Sequence, residues 1–242
     1  MRCSLTIAYN GTTFLGSQQQ KETNNTIIGT LEKVLQQINI DSKIVASGRT
    51  DKGVHATGQV CHIDLPLFWS DLSKLKRVLN SMLPPTIAIV KIKKEKDDFH
   101  ARYDAKKRVY RYIIKDAKSN PFENDFITFL PNVDFGKIQS NIKLFVGEYD
   151  FKYFMKTGSD INSTTRIIYK AFAYKYKDYI ILNFEANGFL RSQIRLMVAS
   201  ILNQDKNQIL EKLQYKKNHK IKPAKSNGLY LAKIKYTRGK KT

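Results

Sequence analysis

Apolar residues fall on every second position at Cys3, Leu5, Ile7 and Tyr9, the period of a strand with one buried face. The period then changes. Ile27, Ile28, Leu31, Val34, Leu35 and Ile38 are spaced for one face of a helix, and Thr26 stands where an N-cap belongs. Alternation returns at 43–47 and 59–64, predicting two strands separated by a short polar loop. Leu72, Leu75, Val78, Leu79 and Met82 predict a second helix that stops at Pro84-Pro85. Residues 86–93 read as a fourth strand, which completes the order β-α-β-β-α-β.

The second half repeats this order. Residues 107–115 alternate in two registers, Val109/Arg111/Ile113 and Tyr110/Tyr112/Ile114, and 134–146 predicts a helix with Ile138, Ile142 and Phe145 inward. A hairpin is expected over 166–176 and 179–186 about Lys177-Asp178. Gly188 is expected to open a helix running to Asn203, with a short helix at 208–213 and a closing strand at 229–236. Two copies of a split β-α-β unit predict an α+β protein. It would consist of two related ferredoxin-like lobes, 1–104 and 105–242, with mainly antiparallel sheets and an active-site cleft between them.

The chain has 242 residues, 42% of them hydrophobic, which suffices for a sizeable core. No apolar run approaches the roughly 18 residues of a membrane span, and the N-terminus has no signal-peptide apolar region. A cytoplasmic protein is expected, with Cys3 and Cys61 as reduced, small apolar side chains. Charge changes the picture more. Forty-two Lys plus Arg against 21 Asp plus Glu leave a net +21, which favours a polyanionic partner. A Lys-, Asn- and Ile-rich composition accounts for part of that excess as a solvated shell. The ten arginines, several beside glycine, aromatic or loop residues, favour RNA or DNA over a membrane surface.

The polar loop between the second and third strands reads Ser47-Gly48-Arg49-Thr50-Asp51-Lys52-Gly53-Val54-His55. It presents one carboxylate with a guanidinium two residues away. An ordinary hairpin, with Gly48 and Gly53 supplying turn geometry, accounts for the spacing equally well. Other chemistries find less support. His55, Cys61 and His62 lack a second cluster to complete a metal site, and the sequence has neither a glycine-rich phosphate loop nor a G-x-S-x-G. Asp97-Asp98 is the nearest approach to a nuclease's metal-binding carboxylates and lacks a partner. A lone carboxylate, Asp51, remains, fit to act as nucleophile or base if it is held ionised.

At this point the residues resemble a family. Gly48-Arg49-Thr50-Asp51-x-Gly53-Val54-His55-Ala56 with Gly58-Gln59-Val60 is similar to the signature of the tRNA pseudouridine synthase A family. Four further blocks agree in order: Tyr9-x-Gly11-Thr12-x-Phe14-x-Gly16-x-Gln18, Asp98–Arg102 with Tyr110-Arg111-Tyr112, Gly188–Arg191 through Arg195, and Gly228–Leu231. Three positions depart from the pattern. Ser17 stands where tryptophan is usual, Lys52 where alanine is common, and Asn10 in place of Asp; the stretch 203–225 is compact and Lys-rich, so contacts there are not carried over.

The resemblance implies cofactor-free isomerisation of uridine to pseudouridine in the anticodon stem-loop of tRNA, positions 38–40, by a homodimer. It implies a flipped-out uridine with Asp51 as catalytic nucleophile, attacking either sugar or base. Arg195 would be its salt-bridge partner, Tyr110 would lie against the uracil ring, and Arg49 would displace the target base. Lys107, Arg108, Arg111 and Arg166 would contact phosphates. His55 is either part of this machinery or a hydrogen-bonded loop histidine. A non-catalytic RNA-binding or tRNA-chaperoning protein on the same fold is the alternative.

Overall fold

The chain forms β1 (Arg2–Tyr9), α1 (Ile27–Gln37), β2 (Val45–Ala46), β3 (His55–Asp64), α2 (Leu72–Met82) and β4 (Ile87–Lys94) in its first part. There follow β5 (Ala105–Lys115), β6 (Thr128–Phe129), α3 (Phe135–Lys143), β7 (Gly147–Asp150), β8 (Thr165–Tyr176), β9 (Tyr179–Ala186), α4 (Gln193–Asn203), α5 (Lys206–Leu213) and β10 (Leu229–Tyr236). The structure, a computed structural model, describes residues 1–20, 23–156, 158 and 162–236. Two units separate within it: Met1–Lys106 together with the chain from Leu231 onward, and Lys107–Tyr230. The closing strand, expected with the second lobe, thus belongs from Leu231 onward to the first unit.

In the first unit the strands lie in the order β4-β1-β3-β10. β1 runs antiparallel to both neighbours, with Leu5 opposite Cys61 on one side and Ile92 on the other. Its alternation buries Cys3, Leu5 and Ile7 completely. The apolar stripe of α1 buries Ile27, Ile28, Leu31 and Leu35 in the same core, each worth roughly 1.5–3 kcal/mol relative to exposure. Thr26 starts this helix as expected, its Oγ1 accepting the Gly29 amide at 3.1 Å, a cap worth about 1 kcal/mol. Leu75 and Leu79 of α2 are fully buried, whereas Met82 is 38% exposed at the end of that helix.

In the second unit the order is β5-β9-β8-β7, antiparallel throughout, with β6 pairing parallel to β5. Of the two registers legible in β5, Tyr110, Tyr112 and Ile114 turn inward, while Arg111 is exposed. Asn141 of α3 is buried and donates to the carbonyls of Ile201 and Gln204, both at 3.2 Å. It thereby satisfies end groups that α4 leaves open. The mixed α+β, mainly antiparallel architecture is the one the periodicity predicts.

The departures are local. β2 is only two residues long, and β3 starts at His55, four residues before the expected strand. β6 and β7 are not legible in the sequence. The helix expected to open at Gly188 begins at Gln193, because Ser192 takes a left-handed conformation (φ +58°) that a right-handed helix cannot include. The Leu190 amide bonds the Gln193 side chain at 2.7 Å instead.

Lys212 of α5 is buried to 1% exposure, donating to Ser200 Oγ at 3.2 Å and lying 4.1 Å over the Phe154 ring. Burial pushes its ammonium down to about 8 from an ordinary 10.5. Between those values the unfolded chain binds a proton that the folded chain does not, so this residue's contribution to stability rises with pH across the window. Lys212→Met is expected to raise the unfolding free energy at pH 7 by about 1–3 kcal/mol, an advantage that disappears toward pH 10.5. Urea unfolding of both proteins across that range checks this; a pH-independent difference would contradict it.

Candidate active site

The polar loop between β2 and β3 is held at nearly every residue. Ser47 donates its amide to Val60 O at 2.8 Å and its hydroxyl to Gln59 Oε1 at 2.6 Å, while Gln59 Nε2 reaches Gly48 O at 2.7 Å. Thr50 is fixed from both sides of its backbone by one residue: its amide donates to Ser17 Oγ at 2.8 Å, and the Ser17 amide donates to Thr50 O at 3.1 Å. The Thr50 hydroxyl also shares a hydrogen bond with Tyr9 at 2.8 Å. Asp51 follows directly, half-buried, and its carbonyl accepts the Val54 amide at 3.1 Å to close the turn. Of the two loop glycines, Gly53 supplies turn geometry with φ +74°, while Gly48 has open space where a side chain would go.

The chain after β1 cradles this loop. Gly11 passes so close to Val54 that a Cβ would lie 2.1 Å from Val54 O, so no other residue fits there. The Gly11 amide donates to His55 Nδ1 at 3.1 Å, and His55 is buried to 1%. His55 therefore serves as a hydrogen-bonded anchor for the cradle. Asn10 does what an aspartate would do at its position, accepting the Thr12 amide and hydroxyl at 3.0 and 2.7 Å. Ser17 and Gly16 in turn accept the first amides of α1, from Ile28 at 3.0 Å and Ile27 at 3.3 Å. Arg49 and Lys52 flank Asp51 with exposed side chains.

The second unit carries Tyr110 and Arg195. Tyr110 is 8% exposed on β5, its ring edge-on to Phe189 at 5.3 Å. Arg195, half-buried on α4, donates from Nε to Ala224 O at 2.7 Å, and its carbonyl accepts the Ala224 amide at 3.0 Å. The guanidinium is thus oriented by the backbone of an irregular segment that precedes β10. Among the described residues no group of three His, Cys, Asp or Glu side chains is placed to hold a metal ion.

Residues 5–104 and 142–237 match the family described as tRNA pseudouridine synthase. The chain belongs to the tRNA pseudouridine synthase family. A relative from Campylobacter jejuni named tRNA pseudouridine synthase A is 40% identical over 241 residues, covering 98% of this chain and 100% of its own. Those of the same name from Wolinella succinogenes and Phytoplasma mali are 36% and 38% identical. They cover 95% and 96% of this chain, and 92% and 97% of their own. The family match omits 105–141, and Tyr110 with it, but the full-length relatives span that stretch.

The four cations expected to contact phosphates, on β5 and β8, differ in their surroundings. Lys107 is paired with the buried Glu185 at 3.2 Å and lies over the Tyr169 ring at 4.3 Å. Arg108 donates to Asn187 O at 2.8 Å, and Arg166 to the carbonyls of Ser163 and Thr165 at 2.9 and 2.6 Å. Burial also holds the Arg166 guanidinium below its ordinary range. These three residues are half-buried and bonded within the unit, and Arg111 alone of the four is exposed.

Ser17 was legible only as a departure from the family pattern; the structure gives it the task of holding Thr50. Ser17→Ala leaves the buried Thr50 amide without its acceptor, which is expected to lower the unfolding free energy by about 1–3 kcal/mol. Denaturant unfolding measures the loss. Unchanged stability would mean that the loop does not depend on this bond.

Proposed function

We propose that this protein isomerises uridine to pseudouridine in the anticodon stem-loop of tRNA, at positions 38–40, with Asp51 as the nucleophile. The observation that carries the reading is the setting of Asp51. It is a half-buried carboxylate on a loop fixed by hydrogen bonds on both sides, in a chain matched end to end by relatives named tRNA pseudouridine synthase A. The non-catalytic alternative draws no support from those relatives.

The reaction balances without an oxidant, reductant or co-substrate. The bond between N1 of uracil and C1′ of the ribose breaks, a bond from C5 to C1′ forms, the C5 proton leaves and N1 gains one. A nucleophile that adds covalently and later departs divides this into two easier steps, and a loop pre-set by its backbone avoids reordering at the moment of attack. In this reading Arg195, oriented by Ala224, supplies the positive charge that keeps the carboxylate ionised away from water. Tyr110 lies against the uracil ring and takes part in removing the C5 proton. Arg49, exposed beside the acid, takes the place of the flipped base in the stem. The same reading has the protein acting in the cytoplasm as a homodimer. Two buried, unpaired thiols, that of Cys61 pushed up to about 12 by burial, suit a reducing compartment.

Purified protein is expected to release tritium from tRNA labelled at C5 of uridine, with no added metal or nucleotide. Asp51→Asn is expected to reduce that release by at least about a thousandfold while tRNA affinity stays within about threefold. Wild-type protein that binds tRNA and releases no label would contradict the reading.

A further inference from the structure

The stretch from Gln214 to Lys225 joins α5 to the strand that closes the chain, and it has no secondary structure of its own beyond a turn. It contains Lys216, Lys217, Lys220, Lys222 and Lys225, all exposed, and no acid. The nearest preceding acid, Glu211, is taken by His219 at 2.5 Å. Among the described residues, no carboxylate lies within ion-pair distance of any of the five lysines. Two other lysines of the same unit are paired with carboxylates, Lys107 with Glu185 and Lys115 with Glu123.

The backbone of this stretch is nonetheless anchored. His219 O accepts Gln204 Nε2 at 2.9 Å, Lys225 O accepts the Tyr112 hydroxyl at 2.9 Å, and Ala224 is bonded in both directions to Arg195. The main chain is therefore tied to the body of the unit while the ammonium groups reach solvent. At its start Tyr215 adopts a left-handed conformation (φ +59°), where glycine is favoured. Its ring stacks on Tyr153 at 4.4 Å with 12° between planes, Lys152 lies 5.5 Å over it, and the residue stays 42% exposed.

We propose that this stretch is an RNA-backbone contact surface, a row of lysines that grips tRNA phosphates beside the residues flanking Arg195. A fixed row of unpaired like charges repels itself and gathers counterions; a phosphodiester chain relieves the first and releases the second. Lysine rather than arginine indicates point-charge contact with phosphates, not the forked reading of bases. Ala224, the residue that orients Arg195, stands between the last two lysines of the row, so an RNA held along it is delivered to the group assigned to the reaction. The inference rests on the reading of the protein as acting on tRNA.

The test is tRNA binding across a salt series for the wild type and for the quadruple variant Lys216→Gln, Lys217→Gln, Lys220→Gln, Lys222→Gln. The variant is expected to bind at least about tenfold more weakly near 0.1 M salt. Its slope of log affinity against log salt should be shallower by about three, since each lost phosphate contact contributes roughly 0.7–0.9. The corresponding four-arginine variant should keep the wild-type slope. A control with equal charge loss, Lys33→Gln, Lys74→Gln, Lys91→Gln, Lys94→Gln, should bind as the wild type does. Wild-type affinity in the first variant, or equal losses in both glutamine variants, would overturn the surface. Tritium release is read separately. Wild-type binding by the variant with isomerisation intact removes this surface and leaves the proposed function standing. A binding loss confined to the first variant supports the surface whether or not uridine is isomerised.

Discussion

Two hydrogen bonds between Ser17 and Thr50 are the constraint on which the first unit's chemistry depends. They take up both backbone groups of the residue just before Asp51, and Ser17 is itself locked to the first turn of α1 through Ile28. The carboxylate's position is therefore set by a helix, a strand and a buried hydroxyl rather than by the loop's own preferences. The close pass of Gly11 against Val54 and its bond to His55 secure the far end of the same loop. The bonds of Ser17 to Thr50 and the contacts of Gly11 with Val54 and His55 join segments 30 or more residues apart in sequence, so the loop forms only when the first unit has folded.

This explains which parts of the protein are legible in its sequence. Long elements with one buried face declare themselves: β1, α1 and α2 follow their apolar periods, Thr26 marks its helix start, and the turn at Lys177-Asp178 marks the β8–β9 hairpin. Two- and four-residue strands such as β6 and β7 are too short to show a period. The start of α4 was misplaced because apolar residues at 189, 190 and 194 look helical, while Ser192 turns the other way. At the site, the residue types of the Asp51 loop pointed to chemistry, but the roles of Gly11, Ser17 and His55 became evident only from their partners. A serine in place of tryptophan reads as a loss until its hydroxyl is seen under the Thr50 amide.

Charge shows the same division between composition and placement. The net +21 favours a polyanion but does not say where one would bind. Lys107, Arg108 and Arg166, read from the sequence as phosphate ligands, are half-buried and bond carbonyls and a buried carboxylate of their own unit. Five exposed lysines with no acid among them follow one another on the irregular stretch after α5, pinned through its backbone to Arg195 and Tyr112. Intramolecular pairing, not residue count, decides which cations remain available to a partner.

The proposed role of the Asp51 loop is to isomerise uridine in the anticodon arm. The most direct measurement is a pseudouridine map of tRNA from cells with the gene intact and from cells in which it is deleted. Pseudouridine at positions 38–40 is expected to be lost on deletion, while pseudouridines elsewhere in tRNA persist. A deletion that leaves those three positions fully modified would contradict it.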